Sequence, residues 1–91
     1  MKLKHAVAVR AEVPNVDIPS NSSVDVGIIN DMIIFPTGYT IEGLTLMSSS
    51  IGYCIPYIRY SESVLRIAAR NFNTQPINVT IYVRAIFIRI Q

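Results

Sequence analysis

Apolar and polar residues alternate along most of this chain. Leu3, His5, Val7, Val9, Ala11 and Val13 fall on one side of the opening segment. Lys2, Lys4, Arg10 and Glu12 fall on the other, with Ala6 and Ala8 between them. A period of two is the signature of a strand with one buried face. The pattern therefore predicts a first strand that Pro14-Asn15 ends. Val16 and Ile18 form a short apolar piece before a polar turn at 20–23, and Pro19 marks that piece as an edge or an entry. A strand then starts near Val24. Residues 30–40 mix a short apolar run with turn chemistry, in which Pro36 fixes one dihedral and Gly38 is free to take a positive φ. Tyr39 to Met47 reads as a strand, and Gly43 inside it predicts a bulge or a close backbone approach.

The second half keeps the same period. Tyr53, Ile55, Tyr57 and Arg59 oppose Cys54, Pro56, Ile58 and Tyr60, and Pro56 makes this an edge strand or a bulged one. After a turn at 61–63, Leu65, Ile67 and Ala69 point inward and Val64, Arg66, Ala68 and Arg70 outward. Val64, Leu65, Ala68 and Phe72 also fit a helical face, but the β-branched bias and the flanking turn favour a strand. The last strand, "NVTIYVRAIFIRIQ", has two distinct faces. Val79, Ile81, Val83, Ala85 and Phe87 make a core stripe. Asn78, Thr80, Tyr82, Arg84, Ile86, Ile88 and Ile90 begin polar and turn apolar. The last two strands are expected to form a hairpin across a loop of about six residues.

Isoleucine and valine number 24 and leucine only 4, a bias toward side chains that suit a pleated surface. Turn residues recur about every ten positions. The expected fold is one all-β domain over 1–91. It is a small antiparallel β-sandwich, jelly-roll-like, of about seven or eight short strands.

Composition adds a hint of assembly. Hydrophobic residues are 51% and charged residues 15% of the chain, against roughly 25% charged in ordinary globular chains. A domain this small has a modest core, so the surplus apolar side chains are expected to face partner subunits. Ile86, Ile88 and Ile90, with Tyr82 and Arg84 beside them, are the expected oligomer interface. No apolar run approaches the ~18 residues that span a bilayer, so no membrane insertion is expected. The N-terminal segment reads as a strand, because Arg10 and Glu12 interrupt it too early for a secretory leader.

Charge is uneven. Residues 1–10 carry +3, residues 11–58 carry −5 and residues 59–91 carry +4, for a net +2. The arginines of the last third are spread over several strands without a nucleic-acid motif, so no nucleic acid is expected. One histidine and one cysteine lie 49 positions apart. They exclude an intramolecular disulfide and give no metal-ligand spacing. Cys54 reads as a small core residue in a chain suited to a reducing compartment. His5 is the sole imidazole, beside Lys4 in an alternating strand, and has no evident nucleophile to serve. The expectation is no enzyme, no catalytic residue, no metal and no cofactor. Tyrosine is the one enriched type with binding potential. Tyr53, Tyr57 and Tyr60, with Arg59, are the candidate saccharide contacts.

Several motifs carry a resemblance that spans about residues 16–88. They are a polar turn opening a strand at Ser22–Val26; Pro36, Gly38, Tyr39 and Gly43 at another; Leu65, Ile67 and Asn71 in a third; and Val79–Ile86 in the last. In these the chain resembles the small β-sandwich modules of bacteriophage tail-fibre, baseplate and receptor-binding proteins. The resemblance implies a virion structural protein, made in the host bacterial cytoplasm, that self-assembles as a trimer and contacts other virion proteins. The alternative it implies is a receptor-binding module for host cell-surface saccharide.

Overall fold

The computed structural model describes residues 6–90; the side placements of Lys2, Leu3, Lys4 and His5 lie outside the described residues. Six strands and one helical turn follow in order: β1 (Ala6–Ile18), β2 (Ser23–Ile28), α1 (Ile29–Met32), β3 (Tyr39–Ser48), β4 (Cys54–Ser61), β5 (Val64–Asn71) and β6 (Ile77–Arg89). They make two three-stranded antiparallel sheets, ordered β1-β6-β3 and β2-β5-β4. The inner faces share one cluster, with Ile18, Val79, Ile81, Val83, Ala85 and Phe87 from the first sheet and Cys54, Ile67 and Ala69 from the second. The domain is thus all-β and two-layered. Its six strands in a three-plus-three arrangement are fewer than expected, and fewer than the eight of a jelly roll.

Two regions account for the shortfall. Pro14-Asn15 does not end the first strand. Pairing with β6 shifts between Val13 and Val16, and β1 continues to Ile18. β1 is an edge strand, where a missing N–H costs the ladder nothing. Asn15 takes φ 58°, which asparagine tolerates better than most residues. The extra residue is a bulge that changes the phase of alternation. Odd-numbered residues point inward up to Val13, and even-numbered Val16 and Ile18 do so after it. Residues 29–38 are the second region. They form α1 and a loop, and Ile29 and Ile33 plug the core. Phe35 meets Phe87 edge-on, with ring centroids 5.0 Å apart. Met32 packs over Gly27, where an added Cβ would lie 2.9 Å from its Sδ. Gly38, at φ 85°, sits in a turn closed by the Tyr39 N–H donating to the Pro36 carbonyl at 3.2 Å.

The bulge expected at Gly43 is present, between Ile41 and Gly43, and β4 is an edge strand as Pro56 predicts. Residues 64–71 are strand rather than helix. The expected hairpin of the last two strands is not formed, because β5 and β6 lie in different sheets. The cause is at Asn71. Its buried amide donates to the carbonyls of Ile18, Pro19 and Gln75 at 3.1, 3.1 and 2.9 Å, and its Oδ1 accepts from the Asn73 N–H at 2.7 Å. These bonds tie the β5–β6 loop to the end of β1 and carry the chain across the layers. β6 then enters between β1 and β3. The hairpin that does form is β4–β5, turning through Glu62 and Ser63 at φ 54° and 64°, the geometry of a type I′ turn. Its tip overhangs the core. Leu65, expected inward, is exposed, as are Ile58 and Tyr60 beside it. Ala68, expected outward, is buried between Asp25 and Tyr57 in the cross-strand register. The molecule is long and thin, 54 × 29 × 16 Å with a radius of gyration of 15.0 Å, against about 12 Å for a compact chain of this length.

Candidate functional site

β6 is the central strand of its sheet, so its alternation sets both faces. The inner row, Val79 to Phe87, is buried throughout. The outer row is bordered by β1 on one side and β3 on the other, and the register fixes its neighbours. Ile88 lies between Ala6 and Thr40, and Ile86 between Ala8 and Gly43. Arg84 lies between Arg10 and Thr45, and Tyr82 between Glu12 and Met47. Directly opposed residues of this kind have Cβ atoms about 4.5–5.5 Å apart.

The outer face therefore has two halves. One is apolar, with Ile86 and Ile88 half-buried beside Ala6, Ala8 and Gly43. The other is a groove of about 360 Å³ lined by Arg10, Glu12, Thr45, Met47, Tyr82 and Arg84. Met47 and Tyr82 are 57% and 42% exposed there. Arg10 and Arg84 face each other across the β1–β6 ladder, a like-charge pairing that disfavours the sheet. The ion pairs among the described residues are Arg59–Asp25 and Arg66–Glu62, so neither Arg10 nor Arg84 has a carboxylate partner among the described residues.

The fold brings the expected interface residues Tyr82, Arg84, Ile86 and Ile88 into one row. Ile90 lies just past the strand, 56% exposed, and its N–H donates to the Gly38 carbonyl at 2.8 Å. The candidate saccharide residues are dispersed. Tyr53 precedes β4 in a loop, Tyr57 and Arg59 share the outer face of the second sheet, and Tyr60 points to the opposite face at the overhanging tip. Arg59 Nη2 donates to both oxygens of the Asp25 carboxylate at 3.0 Å. That surface pair contributes roughly 0–1 kcal/mol, and it occupies the guanidinium.

No protein-family model, no curated protein and no solved structure matches this chain. The site thus stands on its own geometry. Nothing in the sequence pattern marks Arg10, Glu12, Thr45 and Met47 as a group. Alternation places Arg10 and Glu12 on the outer side of β1, but only the cross-strand register brings them to Tyr82 and Arg84.

Proposed function

We propose that this chain is a bacteriophage virion structural protein, in the tail, the baseplate or as a head accessory. In this reading it self-assembles and acts through contacts with copies of itself and with other virion proteins, without catalysis. The observation that carries it is the apolar half of the outer face. Ile86 and Ile88 stand half-buried on the central strand, and among the described residues the register sets Ala6, Ala8, Gly43 and Thr40 beside them. A second layer on that face removes them from water, at roughly 25 cal/mol for each Å² of apolar area covered. The motif resemblance supports the virion setting and a trimer as the expected state.

Light scattering at micromolar concentration tests the assembly. The wild type is expected to be oligomeric. Ile88→Asp is expected to dissociate it while leaving the circular dichroism spectrum unchanged, since the inner row is untouched. A monomeric wild type sinks the self-assembly reading.

A further inference from the structure

The groove beside the apolar half has a property that the apolar half lacks: it is complementary to itself. Its two rows read Arg10–Arg84–Thr45 and Glu12–Tyr82–Met47 across β1, β6 and β3. Consider a second copy laid on this face, turned by a two-fold axis lying between the rows and across the strands. The first row of each copy then covers the second row of the other. Arg10 meets the other copy's glutamate at position 12. Arg84 lies over the other copy's tyrosine ring at position 82, a cation–π arrangement. Thr45 meets methionine at position 47. Each contact occurs twice, as an isologous interface requires.

From this we infer that the groove is a two-fold, face-to-face dimer contact between copies of this chain. It rests on the self-assembly reading above and specifies one of its contacts. Charge complementarity selects this occupant. The like-charged Arg10 and Arg84, without an ion-pair partner among the described residues, gain a carboxylate and a ring from the second copy. The three strands run side by side from Ile81 to Ile88 of β6, so strand rise and spacing give the shared face roughly 15 by 27 Å, about 400 Å² in projection. That is below the roughly 800 Å² per partner of a standard interface, so the contact is a small one that engages the whole face. Aligned sheet faces cross at about 30°, so the contact is closest at the groove and splays toward the strand ends. Ile86 and Ile88 lie toward one end of this same contact, and the oligomer it forms is a dimer in place of the trimer that the resemblance implies.

Charge exchange tests the pairing. Arg10→Glu and Glu12→Arg are each expected to weaken the dimer about tenfold or more in sedimentation equilibrium. The double variant Arg10→Glu/Glu12→Arg is expected to restore it, because the isologous pair is re-formed with its signs exchanged. The milder Arg10→Gln and Glu12→Gln are expected to weaken it less and provide the same comparison if a reversal disturbs folding. Raising salt from about 0.1 M to about 1 M is expected to weaken the wild-type dimer. Single variants that assemble like the wild type, or a double variant no better than the singles, overturn the two-fold contact and leave self-assembly standing. A wild type that is monomeric at both salt concentrations overturns both.

Discussion

The two sheets have the same architecture and different fates. Each has three antiparallel strands with the later strand in the middle. In the first, every inner side chain of β6 from Val79 to Phe87 is buried. In the second, Ile67, Ala69 and Asn71 of β5 are buried, while Leu65, in the same alternation, is 37% exposed. The β4–β5 hairpin runs past the end of the opposing layer. Alternation tells which side of a strand faces its partner sheet. It does not tell whether anything lies opposite.

The sharpest way to break this comparison is truncation on the two central strands. Phe87→Ala removes a fully buried ring and its edge contact with Phe35, and is expected to cost about 3–5 kcal/mol in chemical denaturation. Leu65→Ala, on the overhang, is expected to cost under about 1 kcal/mol. Equal costs would mean that the hairpin tip is covered in solution.

The next effect is at the join between the layers. Asn71→Ala strands the carbonyls of Ile18, Pro19 and Gln75 and is expected to cost about 2–3 kcal/mol. Asn71→Asp should not rescue it, because a carboxylate has no hydrogen to offer those carbonyls. A rescue by aspartate rejects the amide's role as a donor.

The smallest effect is at the β4–β5 turn. Glu62 and Ser63 both hold positive φ without being glycine. Ser63→Gly is expected to raise stability by about 0.5–1 kcal/mol, seen as a higher urea midpoint. A fall in the midpoint would mean that the serine side chain contributes more than its backbone strain costs.

The buried row of β6 was fully legible, because five apolar residues at period two in a central strand leave one arrangement. The bulge at Gly43, the edge position of β4 and the turn at 61–63 were legible from single residues with restricted chemistry. Pro14-Asn15 misled, since a proline that stops a central strand is tolerated on an edge, and edge status depends on partners far away in sequence. Asn71 stood out within a motif, but its four hydrogen bonds reach residues 2, 4, 52 and 53 positions away. The apolar half of the outer face was visible in β6 alone. The groove was not, since it needs three strands in register.

The bulge in β1 has a consequence for how this chain can change length. Val13 faces Ile81 and Val16 faces Val79, so one residue between them has no counterpart on β6. Deleting Asn15 leaves a strand that alternates without interruption, with Val13 and Val16 still directed inward. Deleting Ala8 instead reverses every side chain that precedes it. The same spare position exists in β3 at Glu42, between Ile41 and Gly43. Single-residue deletions are therefore survivable at these two positions and ruinous a few residues away.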